Sequence, residues 1–351
     1  MSELTITSSV GDYDIDIALG VANRVAEAAV VLVDPRVRSL LPADLERVVE
    51  IEASEDAKTL SGCERVLVEL NRVGVRRGDV VAAVGGGSIQ DVATLTSSLY
   101  MRGLPWEYFP STLMAMADSC IGGKSAINAG GVKNLVGNFY PPRRISIDPR
   151  FVTDLPARAI ASGMAEAVKI CFVRGRGSFD GFLALDGTRH PGANKATAEL
   201  LVHVLSAKKW FVEIDEFDRK ERQLLNFGHS FAHAWEAATR FAVPHGVAVA
   251  IGMMAAVRHP ASATNESTRL LDDYCVDILS TVTSEIRAAR ETTDWDVFET
   301  ALRSDKKNSV SILRLVLPAD EGVAIRELAL DDTQIGIAAS AIREALEEVG
   351  A

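Results

Sequence analysis

The run Val80-Val81-Ala82-Ala83-Val84 passes without a polar residue into Gly85-Gly86-Gly87-Ser88, and then into an Ala- and Leu-rich helical pattern. A short apolar run that ends in glycines and turns straight into a helix marks a strand covered on both faces, and such strands belong to parallel sheets with crossover helices. The first half of the chain is thereby restricted to an α/β architecture. Glycines at this turn allow close approach of a ligand, and the free N–H groups and dipole of a helix start favour a phosphate. Ser88 with Asp91 equally fits a helix cap of the S-x-x-D type, so a site and a cap both stand as readings here. The spacing is not the GxGxxG of the common dinucleotide fold.

Other elements repeat the α/β theme. Leu4 to Ile6 and Tyr13 to Ile17 alternate as a strand pair across Gly11, Ala29 to Val33 is an apolar strand ending at Asp34, and Glu64 to Val73 has a helical period. Asp34 is either a ribose partner at a strand end or the start of a turn. Trp106 to Phe109 and Ile145 to Ile147 read as further strands. Between them, Asp118 to Asn134 is polar and glycine-rich; its Lys124 and Lys133 form the local basic cluster that an anionic ligand requires. After Leu155-Pro156 the pattern changes to long helices, with strands expected only at Ser311 to Leu317 and Ala324 to Leu328. The expected organisation is a nucleotide-binding α/β domain over 1–150, a mainly helical metal- and substrate-binding domain over 151–351, and a ligand cleft between them.

The stretch Arg222 to Gly246 carries the chemistry. On a helical period Leu224, Phe227, Phe231, Trp235 and Ala238 fall on one stripe, and Asn226, His229, His233, Glu236 and Arg240 on the other. Two histidines one turn apart, with His245 after Pro244, can converge on a divalent cation if a carboxylate arrives from elsewhere. Glu166, three residues before Lys169 in an earlier helix, is the candidate. A solvated histidine face is the alternative.

Composition excludes some functions. With 37 basic against 48 acidic residues the net charge is −11, which disfavours nucleic acid and anionic membranes as partners. Cys63, Cys120, Cys171 and Cys275 form no CxxC pair, and the N-terminus lacks a basic segment followed by an apolar one. A soluble, cytoplasmic protein is expected.

The blocks GGGSIQD, YMRG, ADSCIGGKSAIN, VKNLVGNFYPP, SGMAEAVK, LLNFGHSFAHAWE, HGVAVAIGM and SDKKN resemble, in order and spacing, those of the dehydroquinate synthase-like sugar phosphate cyclase family. The resemblance implies a divalent metal, usually zinc with cobalt also possible, held by Glu166, His229 and His245, with His233 facing substrate. It implies NAD at Asp34, Glu55, Lys58, Gly86, Gly87, Asp91, Ser111 and Thr112. Catalytic positions would be Asp118, Lys124, Asn134, Lys169 and His233, and substrate would meet Arg102, Lys133, Lys208, Arg222, Asn226 and Lys306. The implied reaction oxidises a ring hydroxyl transiently with NAD, eliminates phosphate, returns the hydride and closes a carbocycle by an aldol step, usually in a homodimer.

Arg222, Leu225, Asn226 and His233 follow the dehydroquinate synthase version, and a guanidinium fork suits a substrate carboxylate. This favours a 3-deoxy-heptulosonate 7-phosphate, with sedoheptulose 7-phosphate, an amino analogue or glucose 6-phosphate as alternatives. The chain departs from the family where HGEAV reads HGVAV, so that Val247 stands in place of a carboxylate near a metal ligand. Metal-dependent polyol dehydrogenases of the glycerol dehydrogenase type share the GGGS-x-x-D turn but need no phosphate cluster. A non-catalytic binding protein is the third reading.

Overall fold

The computed structural model describes residues 2–54, 56–130, 132–185 and 191–350. The chain divides into two compact units, one built from Met1–Leu155 and His190–Glu216, the other from Pro156–Arg189 and Phe217–Ala351.

The first unit is organised around a seven-stranded sheet. Its strands are β1 (Ser2–Ile6), β2 (Tyr13–Ile17), β3 (Val30–Val33), β4 (Val48–Glu50), β5 (Val81–Gly85), β6 (Trp106–Pro110) and, after a separate hairpin of β7 (Lys124–Ala129) and β8 (Val132–Phe139), β9 (Arg144–Ile147). The order is β1-β2-β9-β6-β5-β3-β4, with β1 antiparallel to β2 and the remaining pairs parallel. Every residue of β3, β5 and β6 is buried, as the apolar runs in the sequence require of interior parallel strands. Helix α1 (Leu60–Arg72) and helix α2 (Gly87–Leu99) belong to this unit, and α2 packs on β5.

Helices α3 (Ala157–Arg174) and α4 (Arg176–Leu185) open the second unit, and the chain then returns to the first with α5 (Lys195–Ile214). The division therefore differs from a single cut at residue 150. The α5 helix lies against β1 and the turn Ala115–Ser119, where Glu213 accepts a hydrogen bond from Thr7 N at 2.8 Å. Local helical periodicity cannot reveal which sheet a helix will cover.

The rest of the second unit comprises α6 (His229–Ala238), α7 (His245–Arg258), α8 (Glu266–Leu279), α9 (Thr283–Glu291), α10 (Trp295–Arg303), a ribbon of β10 (Ile312–Pro318) with β11 (Val323–Ala329), and α11 (Asp332–Glu348). At its centre is α7, buried from Gly246 to Ala256 and packed by α3, α6, α8 and α11. Small residues allow that approach: a Cβ on Gly252 would stand 2.2 Å from the carbonyl oxygen of Gly228. No described helix is long and apolar enough to cross a membrane.

The glycine-rich segment around Lys124 and Lys133, to which the sequence assigned no element, is a paired hairpin, and one local expectation changes. The single stripe from Leu224 to Ala238 is broken, because Gly228 adopts a left-handed φ of 77° and α6 starts only at His229. Phe227, Phe231, Trp235 and Ala238 are still buried, so the apolar side of the pattern survives the break.

Candidate active site

In the second unit, α3 carries Glu166 and Lys169 one turn apart with 1% and 2% exposure. Charges so deeply buried require partners, and the Lys169 ammonium donates to Glu166 Oε2. The other oxygen, Oε1, has no hydrogen-bond partner among the described residues. It lies 3.7 Å from Nε2 of His229 and 3.5 Å from Nε2 of His245.

Local sequence explains how the two imidazoles arrive there. Gly228 ends the turn Glu221–Asn226 and starts α6, and a Cβ at this position would stand 2.8 Å from Met253 N. His229 is thereby the first residue of α6, and its Nδ1–H donates to the carbonyl of Phe227 at 3.1 Å. Gly246 seats the start of α7 against α3, where its N–H donates to Ser162 Oγ at 2.9 Å. Ser162 and Glu166 are four residues apart on one face of α3, so the contact at Ser162 delivers His245 to Glu166. The Nδ1–H of His245 donates to Glu236 Oε1 at 3.2 Å. Carbonyl and carboxylate oxygens only accept, which places the proton on Nδ1 in both rings and leaves Nε2 with a lone pair in the neutral forms.

His233 joins this group: one ligand nitrogen from each of His229, His233 and His245 lies within 4.8 Å of the others. Two overlapping triads therefore exist, one closed by Glu166 and one by His233. Burial, the Lys169 ammonium and the other imidazoles hold the His229 pKa well below its ordinary value. Desolvation and His245 push His233 down to about 4. His245 moves the other way: burial opposes its charged form, but the hydrogen bond and charge of Glu236, with Glu166, outweigh that and raise it.

Of the remaining residues expected here, Arg222 is buried, and Asn226 donates through Nδ2 to the carbonyl of Gln223 at 2.9 Å. Lys306 is exposed. Its neighbour Lys307 instead has a buried Nζ, 3.3 Å from Asp305 Oδ2, and its charge contributes to the lowering of both His229 and His233. Neither Lys307 nor Glu236 was given a role by the sequence. Glu236 was visible on the histidine stripe, whereas nothing in Lys306-Lys307 distinguishes the inward lysine.

In the first unit a cavity of about 410 Å³ is lined by Lys58, Asp91, Lys124, Ser125, Asn134 and Phe139, among others. Lys58 Nζ is 2.9 Å from Asp91 Oδ2 and donates to Asn134 Oδ1 at 3.3 Å, while Asp91 Oδ1 accepts from Ala126 N at 3.0 Å. Asp91 thus fastens β7 to α2 and takes no part in an S-x-x-D cap; the N-cap is Gly86, with no side-chain cap bond. A Cβ on Gly86 would lie 2.9 Å from Thr112 Cγ2, and one on Gly87 would meet nothing within 4 Å. Ser111 N donates to the Gly85 carbonyl at 3.0 Å. Together these form an open cradle at the start of α2.

Lys208 on α5 is buried, 2.5 Å from Asp118 Oδ1, and donates to the Ile121 carbonyl at 3.3 Å. Asp34 is a turn residue in structure: its carboxylate accepts from Arg36 N at 3.0 Å and from Arg36 Nη2 at 2.7 Å. Arg102, with a left-handed φ of 71°, and Lys133 on β8 are exposed. Glu55 lies outside the described residues.

Comparison with known proteins gives the class. The family pattern of the 3-dehydroquinate synthase N-terminal domain matches residues 48–162 and that of the C-terminal domain residues 163–308. The chain belongs to the 3-dehydroquinate synthase family. It is 35% identical over 278 residues to the 3-dehydroquinate synthase of Sulfolobus acidocaldarius, covering 78% of each chain. Two solved structures are similar in fold. One is 2-deoxy-scyllo-inosose synthase complexed with carbaglucose-6-phosphate, NAD+ and Co2+, with a TM-score of 0.78 and 21% identity over 98% of this chain and 100% of that one. The other is 2-epi-5-epi-valiolone synthase of Streptomyces hygroscopicus with NAD+ and Zn2+ bound, with a TM-score of 0.76 and 23% identity over 98% and 99%.

Proposed function

We propose that the chain is a metal- and NAD-dependent lyase that converts a 3-deoxy-heptulosonate 7-phosphate, or a close analogue, into a carbocycle with loss of phosphate. The observation that carries this reading is Glu166 Oε1, a buried carboxylate oxygen without a hydrogen-bond partner among the described residues, facing Nε2 of two histidines. Stranding a charged acceptor there costs more than the ~1–3 kcal/mol of a neutral one. A cation held by Glu166, His229 and His245 offsets that cost, and one carboxylate with two imidazoles suits zinc or cobalt. The uncapped start of α2 at Gly86 and Gly87, with Ser111, Thr112, Lys58 and Asp91 nearby, suits the pyrophosphate of NAD.

When bound, the ion would polarise a substrate oxygen and NAD would take up and return a hydride. The remaining work falls to side chains. His233, neutral at pH 7 because its pKa is depressed to about 4, offers a lone pair to a substrate proton. Lys169 holds one Glu166 oxygen and leaves the other for the ion. Arg222 supplies a fork for a carboxylate, with Asn226 and Lys306 as further substrate contacts, and we assign the phosphate to the cations Lys124, Lys133, Lys208 and Arg102, with Asn134 orienting a hydroxyl.

The test is inorganic phosphate release by metal-loaded protein with NAD, offered 3-deoxy-heptulosonate 7-phosphate, its amino analogue, sedoheptulose 7-phosphate and glucose 6-phosphate. Phosphate release without net NADH is expected, fastest with a carboxylated substrate. Accumulation of NADH with a simple polyol and no phosphate release would assign the dehydrogenase reading instead. We take the active species to be a cytoplasmic homodimer, which sedimentation of the purified protein and fractionation of its host would check.

A further inference from the structure

Three carboxylate-bearing or imidazole-bearing segments converge near Glu166, yet the two imidazoles that face it are held in different ways. His229 is enclosed, with 13% of its side chain exposed, and its Nδ1–H rests on a main-chain carbonyl that no substitution removes. His245 is the looser of the two, with 34% of its side chain exposed, and the hydrogen bond described for its Nδ1 is to the Glu236 carboxylate. Glu236 itself is 7% exposed, a depth at which a carboxylate is rarely found without a task. Its main chain is pinned where α6 ends, because the Glu236 carbonyl accepts from Phe241 N at 2.7 Å. The residues after α6 then turn back so that His245, nine positions on, meets the Glu236 side chain. Val247, the position at which the family resemblance leads one to expect a carboxylate, is apolar and buried within α7.

We propose that Glu236 is the positioning residue of the metal centre: it fixes the Nδ1–H tautomer and ring orientation of His245 and so aims Nε2 at the position shared with Glu166, the task Val247 cannot perform. This rests on the metal reading given above. Carboxylates in this relation to a ligating histidine contribute roughly 10–100-fold to metal affinity.

The test is zinc affinity, measured without substrate by competition with a chromophoric chelator, together with the visible spectrum of the Co2+-substituted protein. Glu236→Ala is expected to weaken zinc binding about 10–100-fold and to alter the Co2+ bands. Glu236→Gln keeps an acceptor oxygen and is expected to restore the bands and part of the affinity, which a merely structural role would not produce. Far-UV circular dichroism of the metal-free proteins checks that each variant folds. Parental affinity and spectrum in the alanine variant overturn the assignment, and should that variant not fold, parental affinity and spectrum in Glu236→Leu, which fills the space without an acceptor, do so. A parental protein that binds neither ion gives no difference to measure and sinks the metal reading itself, a distinct result.

Discussion

The Glu166–Lys169 pair joins a structural cost to a ligand site. Both groups are buried on α3, and each is the other's counter-charge. Removing one charge of such a pair typically destabilises a protein by about 3–5 kcal/mol, because the survivor is left uncompensated. We expect Glu166→Gln to lower the stability of the metal-free protein by about that amount in urea unfolding and to abolish zinc binding. Adding Lys169→Met should restore much of the stability but none of the binding; if the double variant is no more stable than the single one, the pair is not the source of the loss. Glu166 and the three histidines were legible as a group because carboxylate and imidazole are the donors a divalent cation requires, whereas setting His233 apart from Glu166, His229 and His245 came from the family resemblance alone. The sequence left Glu236 and Lys307 without roles because an acceptor for Nδ1, or the inward member of two adjacent lysines, is settled by packing that no local pattern encodes.

At the scale of elements, the site depends on helices meeting at glycines. A Cβ added to Gly246 would stand 2.0 Å from the main-chain oxygen of Ser162 and 2.6 Å from its Oγ, so Gly246→Ala must push α7 away from α3. Overpacking of this kind costs about 1–3 kcal/mol. Because the shift carries His245 away from Glu166, thermal unfolding should show the loss of stability and chelator competition a parallel loss of zinc affinity. Retained affinity in a destabilised variant would mean that the α3–α7 contact does not set the ligand geometry. Strands were the most legible elements, since β3 and β5 are apolar throughout and β6 is interrupted only by Glu107. Helices α4 and α9 were not foreseen. Two glycines in Arg176–Leu185 depress its helical propensity, and burial of Phe179 and Phe182 overrides it. The α9 helix buries only Ile286 and Ala289, too little to show as a stripe. The break at Gly228 was hidden because the apolar spacing continues on both sides of it.

At the scale of the whole molecule, His259 ties stability to pH. It is 3% exposed; its Nδ1 accepts from Ala261 N at 3.2 Å, its Nε2 has no hydrogen-bond partner among the described residues, and burial lowers its pKa. In the unfolded chain this histidine titrates near 6.5. Between that value and the lower native one the unfolded chain binds more protons, so stability falls as pH drops through the window below 6.5. His259→Asn, which keeps an acceptor for Ala261, should lose less stability than the parental protein between pH 7.5 and 5.5 in urea unfolding; equal losses would remove His259 as a cause. The order in which the chain visits its two units has a different consequence. Because Lys195–Ile214 completes the first unit and brings Lys208 to Asp118, that unit cannot close until residue 216 has left the ribosome, after α3 and α4 have already emerged. Biosynthesis must therefore leave a sheet whose strands are all made without its covering helix α5 while part of the other unit is being made, and a fragment cut at residue 150 would lack that cover for good.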